Sequence, residues 1–358
     1  MRGTRGWIGS LLVTTVVAAC AADPAGSPEA VFSPSEVAVA PTINLYGVGG
    51  LRSAGPQSPC QAGPWREFDF WVGDWNVFNE AGTQIGTNAV TVELDGCVVA
   101  EHWTASGGTR GRSINTYDAE TGQWHQTWVS QFTFGHLRMA GGLVGNVMTL
   151  HGERIRPGPF GFTIFDDYSW TPLDDGRVLQ VGIFDLPAFG IRSEFRGFYE
   201  RTDDLVPAPE APGAECAPGG VSARTRELDF LLGSWAVAAD PGPPLGESAV
   251  GTDLSDCLIE ERFSTDKGYE AVSFTYYDRV ELVFYRTYID SEGERLELHG
   301  DFVGDALVLT GTDGVPGGEV ELRVTLRPDG ADGLTQQIEI SRDGGLTWQE
   351  GVTLAYTT

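Results

Sequence analysis

The sequence predicts an all-β protein built from two tandem antiparallel domains, and three observations lead to this prediction. The ten residues "REFDFWVGDW" (66–75) return as "RELDFLLGSW" (226–235), so the chain repeats. Turn-forming clusters such as "DAETGQ" and "RPDGADG" recur about every 8–12 residues in each copy. The segments between them alternate and are rich in Val, Thr, Trp, Tyr and Phe. Short strands at this spacing are typical of a sandwich or a barrel.

The repeat keeps its register along the chain, which indicates a duplicated domain. Trp75 and Trp235 lie 160 residues apart, and so do Cys97 and Cys257. Further on, "VGNVMTLHG" (144–152) and "VGDALVLTG" (303–311) are offset by 159. Each copy is long enough to bury a core of its own. We therefore expect domain 1 over residues 60–203 and domain 2 over residues 216–358.

The segment before the first copy has the features of an export signal. Two arginines precede a short apolar run, which ends in "VAAC" at residues 17–20 and resembles a bacterial lipobox. We expect a lipoprotein signal over residues 1–20 with lipidation of Cys20; the alternative is an ordinary signal peptide with an incidental cysteine. Residues 21–59 are rich in Ala, Pro, Gly and Ser and predict a flexible tether. The residue after Cys20 is Ala21, and not the Asp that typically marks lipoproteins retained in the inner membrane. This favours the periplasmic side of the outer membrane in a Gram-negative cell.

The overall charge excludes some classes of partner. The 358 residues carry a formal net charge of −27, with a sequence pI of about 4.4. Nucleic-acid affinity depends on Lys and Arg that neutralise phosphates, so no nucleic-acid partner is expected. An anionic membrane surface is excluded on the same ground, and the lipid anchor is the one membrane contact that we predict.

Four cysteines remain when Cys20 is set aside, and they occupy matching places in the two copies. Of the three possible connectivities, the repeat favours Cys60–Cys97 and Cys216–Cys257. Bridges that close loops of this size contribute about 3–4 kcal/mol in the chain-entropy model. No metal site is expected, because CxxC, HxH and HExxH spacings are absent. Between the copies, residues 204–215 read as a Pro/Ala linker.

An ordered set of motifs resembles a known family. Copy one reads F-D-F-x-x-G-x-W, then G-C-x-x-x-E, then Y-D, then "WHQTW". This set resembles an uncharacterised bacterial family of lipocalin-like (calycin) domains, over nearly all of copy one and more loosely in copy two. The resemblance implies two lipocalin-like β-barrels of the up-and-down, eight-stranded kind, with the Trp of G-x-W closing one end. It implies no particular activity.

Alternation along the strands places one carboxylate inside each barrel. In "CVVAEHW" the residues Cys97, Val99, Glu101 and Trp103 share the apolar face, and Glu261 takes the matching place in copy two. A buried carboxylate needs a partner. The same alternation offers Gln126 in copy one and Arg286 in copy two, so we expect a Glu261–Arg286 ion pair and a raised pKa for Glu101. The histidines at positions 102, 136, 151 and 299 are expected on outer faces.

The interior of barrel 1 is the candidate binding site, and aromatic side chains dominate it. A pocket of aromatic residues with a few polar groups is typical of small-molecule sites. The alternative is a core that these side chains fill completely. The predicted ligand-binding residues are Trp75, Glu101, Trp103, Asn115, Tyr117, Trp124, Gln126, Trp128 and Met139 in barrel 1, with Glu261 and Arg286 in barrel 2.

We therefore expect an exported cell-envelope protein that binds or carries a small, partly apolar ligand, mainly in barrel 1. The first alternative is an enzyme of isomerase, cyclase or hydratase type on the same scaffold, with Glu101, Tyr117 and His125 as acid–base residues. The second is a structural or interaction module whose barrels are filled. No cofactor is implied, and the sequence decides neither the ligand nor the oligomeric state.

Overall fold

The computed structural model describes residues 58–211, 215, 216, 219, 220, 222–315, 318–330 and 333–358. The predicted signal, Cys20 and nearly all of the tether lie outside these residues. Two closed antiparallel β-barrels follow each other along the chain, which confirms the predicted fold class. In each barrel every strand pairs with its neighbours in sequence, and the first strand pairs with the last. Each barrel has ten strands, so the expected eight was wrong, and the interior is correspondingly wider.

Barrel 1 is an up-and-down meander of ten strands. Residue burial alternates along most of them, as expected for strands with one face inside a barrel. The strands are β1 (Gly73–Phe78), β2 (Gln84–Glu93), β3 (Val98–Ala105), β4 (Arg110–Asp118), β5 (Gln123–Ser130), β6 (Leu137–Val144), β7 (Val147–Arg156), β8 (Phe162–Pro172), β9 (Val178–Leu186) and β10 (Ile191–Arg201).

Barrel 2 repeats this order. Its strands are β11 (Gly233–Ala239), β12 (Pro244–Asp253), β13 (Leu258–Ser264), β14 (Glu270–Asp278), β15 (Val283–Asp290), β16 (Arg295–Val303), β17 (Ala306–Val315), β18 (Gly318–Pro328), β19 (Gly333–Ser341) and β20 (Gln349–Thr357). The helices are short 3-10 turns, at Pro59–Gln61, Gly63–Arg66, Asp69–Trp71, Leu94–Gly96, Thr133–Gly135, Pro187–Phe189 and Ala223–Leu231. Within the described ranges, none of these helices has the length and apolar character needed to cross a membrane.

The repeated opening motif closes one end of each barrel. In barrel 1 the indole nitrogen of Trp75 donates to the carbonyl of Trp71, 2.8 Å away, and Trp235 makes the equivalent 2.9 Å bond to Leu231. Gly73 has a φ of +143°, a conformation that favours glycine, and a Cβ there would meet the guanidinium of Arg201. The motif is therefore a plug, and we call this end of each barrel the plugged end.

Both predicted disulfides are confirmed. Cys60 bonds to Cys97 and Cys216 to Cys257, each joining the segment before the plug to the turn that precedes the third strand of its barrel. All four cysteines are buried. They belong to an apolar cluster that contains residues of both barrels, so each bridge lies close to the junction between the two copies.

The two barrels pack on each other through the outer faces of their third to sixth strands. Thr127 and Thr287, which are equivalent residues of the two copies, meet side chain to side chain at 2.9 Å. Equivalent residues that meet across an interface are the mark of a twofold, isologous arrangement. Around them lie buried apolar side chains from both outer faces: Ala100, Ile114, Val129, Val272, Phe274, Tyr276, Tyr285 and Ile289.

Charged pairs surround this apolar contact. Arg138 lies over the ring of Tyr285 and pairs with Asp278 at 3.2 Å and with Glu281. Arg112 pairs with Asp253 and with Glu260 of barrel 2. His136 occupies an outer face, as expected, yet it is 0% exposed because Tyr276 packs against it. Burial lowers the pKa of His136 to about 3, so this histidine is neutral.

Candidate ligand site in barrel 1

The plugged end of barrel 1 is a packed aromatic core. Phe68 contacts the rings of Trp71, Trp124 and Trp170 at 4.9–5.5 Å. Trp75 lies against Tyr199 and under the guanidinium of Arg201. The predicted binding residues Trp75 and Trp124 therefore lie in this packed core.

A polar network crosses the middle of barrel 1. Glu101 is 3% exposed and accepts hydrogen bonds from Asn88 and from Ser113, both at 2.8 Å. Asn115 donates to Ser113 at 3.0 Å, and Gln126 donates to Asn115 at 2.7 Å. The expected direct partnership of Gln126 with Glu101 was wrong, because Asn115 and Ser113 stand between them and relay the contact.

The equivalent network in barrel 2 is centred on an ion pair. Arg286 pairs with Glu261, as the sequence predicts, and it also donates to Thr275 at 3.2 Å. Two serines, Ser248 and Ser273, complete the shell of Glu261 at 2.6 and 3.2 Å. The two barrels thus have equivalent polar networks around a buried carboxylate. Barrel 1 has Gln126 where barrel 2 has Arg286, and this difference decides whether the carboxylate has a counter-charge.

The lack of a counter-charge governs the ionisation of Glu101. Burial raises its pKa from 4.5 to about 7, against the smaller lowering effect of the hydrogen bonds from Ser113 and Asn88. Two tyrosines, Tyr168 and Tyr199, lie close enough for the charge of Glu101 to contribute to the raised pKa of each hydroxyl. A carboxyl group of this kind is present in both ionisation states near neutral pH, and a bound ligand can select one of them.

The end of barrel 1 opposite the plug, which we call the far end, is accessible to solvent. Four aromatic side chains face inward there and are only half-buried: Trp103, Trp128, Phe184 and Phe195. Two inward-facing rings of barrel 1 lie flat against glycines of the neighbouring strands. A Cβ on Gly111 would collide with Trp128, and a Cβ on Gly182 would collide with Tyr168. Such pairing of a ring with a glycine is a known feature of sheets, in which the aromatic side chain covers the glycine.

The far end of barrel 2 is capped instead. Phe263 and Tyr288, the equivalents of Trp103 and Trp128, are only 2% and 3% exposed. Tyr269 covers them: its hydroxyl bonds to that of Tyr288, its ring packs on Phe263, and it donates to Asp290 at 2.7 Å.

The register places Thr109 and Ser130 of barrel 1 at the positions of Tyr269 and Asp290, and neither side chain can build such a cap.

Apolar side chains also fill the lumen of barrel 2. The position of Gly182 is occupied by Ile338, and that of Gly197 by Leu354, both buried. Beside Glu261 and Arg286 a cavity of about 10 Å³ remains, which is about the space that one water molecule requires. Barrel 2 therefore matches the filled-core alternative that the sequence left open.

A second concavity, of about 220 Å³, lies outside the lumens. It is bounded by the outer face of β2–β4, by Leu205 and Pro207 of the linker, and by the turn at Asp253. Its cations are already paired, Arg112 with Asp253 and Glu260, and Arg110 with Glu210 at 3.0 Å. This groove follows from the packing of the linker against barrel 1.

The structure separates the three residues that were considered for catalysis. Glu101 lies in the polar network, whereas Tyr117 packs against Trp65 and Trp124 near the plugged end. His125 is on the outer face, 3.7 Å from Asp118, and burial lowers its pKa to about 4. Among the described residues, no group of three or more His, Cys, Asp or Glu is arranged to hold a metal ion.

Other site residues were missed by the sequence analysis. Asn88 alternates with Val90 on β2, so the rule that located Glu101 would have placed it inside the barrel. Gln180 and Tyr199, joined by a 2.5 Å hydrogen bond, and a buried pair of Arg154 with Asp166 belong to β7–β10. Alternation along β7 places Arg154 on the face opposite His151, but the pairing of Arg154 with Asp166 across β7 and β8 requires the register.

No family model and no curated protein matches the chain. Among solved structures, a protein of unknown function of the DUF3598 family from Nostoc punctiforme is 13% identical, with a TM-score of 0.22 over 82% of this chain and 98% of that one. A "putative outer membrane protein" from Bacteroides fragilis is 9% identical, with a TM-score of 0.17 over 82% of this chain and 99% of that one. Scores this low support no conclusion about fold or function.

Proposed function

We propose that this protein binds or carries a small, partly apolar molecule in the cell envelope, and that barrel 1 holds the ligand. The observation that carries the proposal is the difference between the two far ends. Equivalent aromatic residues are half-buried in barrel 1 and sealed under Tyr269 in barrel 2. Half-buried rings above a few convergent polar groups are what a ligand site in a barrel mouth offers.

The polar network supplies the specificity of this site. Asn88 is the cross-strand partner of Trp103 and donates to Glu101, so a ligand that enters from the far end and contacts Trp103 would meet both polar side chains. The plug of Phe68, Trp71 and Trp75 closes the opposite end. A ligand would therefore enter and leave through the far end.

Barrel 2 serves, in this proposal, as a folded partner that supports barrel 1. Its lumen is filled, its carboxylate is neutralised by Arg286, and its outer face covers that of barrel 1.

Placement in the cell envelope is part of the proposal. Two disulfides are typical of proteins that fold in an oxidising compartment. The lipobox-like segment ending at Cys20 would then attach the protein to a membrane, on the periplasmic side of the outer membrane in a Gram-negative cell. The tether of residues 21–59 would give barrel 1 access to ligands away from that surface.

Acid–base catalysis by Glu101 is the second candidate, because a carboxyl group with a pKa of about 7 can both give and take a proton. A Glu101→Gln variant distinguishes the two functions. A carrier would keep a measurable affinity for its ligand, with altered strength, and no conversion would be seen with either protein. An enzyme would lose turnover by about 100-fold or more while it still bound substrate.

Native mass spectrometry tests the proposal. The protein, with Cys20→Ser to prevent lipidation, would be purified gently from the envelope of its own host. We expect a bound small molecule that is lost in Trp128→Ala and kept in the matched variant Tyr288→Ala of barrel 2. An empty wild-type protein, or an adduct lost equally in both variants, would contradict a binding site in barrel 1. Circular dichroism and melting curves establish that each variant is folded.

A further inference from the structure

We propose that the ligand of barrel 1 carries a hydrogen-bond-donating head without negative charge, best met by a primary amine or ammonium group attached to an apolar or aromatic body. This inference rests on the proposed function and adds the chemical class of the ligand. Three observations support it: the unpaired acceptor in the polar network, the pairing of the nearby cation with other groups, and the aromatic wall formed by Trp103 and Trp128.

The polar network presents one buried acceptor that lacks a donor. Asn88 is 0% exposed, and its amide nitrogen donates to Glu101 at 2.8 Å, which fixes the orientation of the amide. Its carbonyl oxygen, Oδ1, then has no hydrogen-bond partner among the described residues. An unpaired buried acceptor is costly. A ligand that donates a hydrogen bond would satisfy this oxygen beside the carboxylate of Glu101.

The charges in the lumen disfavour an anionic ligand. Where barrel 2 has Arg286, barrel 1 has Gln126, and its amide is already donated to Asn115. The interior-facing guanidinium of Arg154 is held by both oxygens of Asp166, at 2.8 and 3.0 Å, and by the carbonyl of Phe134. A carboxylate ligand would therefore meet Glu101 without a cation to receive it, and burial strengthens that repulsion.

The aromatic wall favours a cationic head and accepts an apolar body. The faces of indole rings attract ammonium groups, most strongly where water is excluded. Trp103 is the cross-strand partner of Asn88 and Trp128 that of Ser113, so both indoles border the polar network. A ligand with an amine at one end and a ring at the other would place its head at Glu101 and its body between these indoles.

A series of three probes tests the inference. The probes are 3-phenylpropylamine, 3-phenylpropanol and 3-phenylpropanoate, which share a ring and a chain and differ only in the head. Calorimetric titration of the full chain with Cys20→Ser, at about pH 8, keeps the amine charged and Glu101 largely ionised. We expect the amine to bind about 10- to 100-fold more tightly than the alcohol, as charge-assisted hydrogen bonds allow, and the propanoate most weakly.

Two variants locate the effect. Gln126→Arg copies barrel 2 into barrel 1, and we expect it to remove the advantage of the amine over the alcohol. Glu101→Gln keeps the size of the side chain and should reduce the same advantage to less than about threefold. Glu101→Gln keeps the test decisive if Gln126→Arg fails to fold, as judged by melting curves.

The outcomes separate this inference from the proposed function. Tightest binding of the propanoate, or equal binding of amine and alcohol, would overturn the donor-head inference and leave barrel 1 a binding site. If no probe binds, the adduct from the native purification decides: an amine supports the inference, and a carboxylic acid overturns it. If neither probe nor adduct is found, both the inference and the proposed function fail.

Discussion

At the scale of single residues, one substitution accounts for the difference between the two interiors. Glu101 and Glu261 occupy equivalent positions, and each has a serine from the fourth strand of its barrel. Arg286 neutralises Glu261, whereas Gln126 reaches Glu101 only through a relay. Alternation along the strand predicted both inward carboxylates and the ion pair. It could not predict that Asn115 and Ser113 connect Gln126 to Glu101. Which polar side chain reaches the carboxylate depends on distances between strands, which the pattern along one strand does not contain.

Glu101 should make the stability of the protein depend on pH. Its pKa of about 7 in the folded state lies above its value of 4.5 when exposed, so folding favours the protonated form. This stabilisation is complete below about pH 4.5 and is lost as pH rises through about 7. Relative to Glu101→Gln, the wild type should lose on the order of 3 kcal/mol of unfolding free energy by about pH 8.

Urea denaturation of both proteins between about pH 4 and pH 8, with disulfides intact, measures this difference. Asp290 and Asp313 also have raised pKa values, but they are present in both proteins and cancel in the comparison. Parallel curves for the two proteins would show that Glu101 is not buried in an uncompensated state.

At the scale of strands, repeated motifs and turn signals were sufficient for the fold class and the disulfides, whereas the closing role of the Trp in G-x-W came from the family resemblance. The number of strands was wrong, because the expectation of eight came from a resemblance and not from the turns themselves. The inward faces were correct on β3 and β5, although burial does not alternate cleanly there, because barrel 2 also covers residues of their outer faces such as Ala100 and Val129. On β14 nearly every residue is buried on both faces, as in "AVSFTYYD", and alternation fails there.

Gly182 is expected to keep the lumen of barrel 1 open. Gly182→Ile introduces the residue of barrel 2, Ile338, at a place where Tyr168 lies flat on the wall. The displaced ring should enter the lumen and lower the affinity of barrel 1 for 3-phenylpropylamine by about tenfold or more, as overpacking of 1–3 kcal/mol implies.

The matched control is Gly142→Ile on β6, which faces outward and has nothing within 4 Å of a new Cβ. Calorimetric titration of both variants gives the comparison. Unchanged affinity in Gly182→Ile, or an equal loss in the control, would show that Gly182 does not shape the site.

At the scale of the whole molecule, the chain resembles a dimer that has been joined end to end. Thr127 meets Thr287 near the centre of an interface that also contains the disulfides. The signal for this interface was present in the sequence, since outward positions such as Ile114, Phe274 and Ile289 are apolar. Alternation assigns faces within one barrel, and it cannot reveal that an outer face is covered by the other barrel.

The interface should hold the barrels together without the linker. A protease site placed between Leu205 and Val206, where Val206 is 69% exposed, would allow cleavage of the folded protein. We expect the two pieces to elute together at the size of the intact chain, because apolar and charged contacts join the barrels on their own.

The variant Thr127→Asp, which buries a carboxylate against Thr287, should allow the cleaved pieces to separate. Separation of the cleaved wild type would mean that the linker, and not the interface, unites the barrels.

The division of labour between an open and a filled barrel is the central claim, and hydrogen–deuterium exchange tests it most directly. Exchange would be followed in the full chain with Cys20→Ser, with and without saturating 3-phenylpropylamine or the ligand recovered from the native protein. We expect slower exchange in β3–β5 and β8–β10, around Trp103, Trp128 and Tyr168, with the strands of barrel 2 unchanged. Protection centred on barrel 2, or spread equally over both barrels, would contradict the claim.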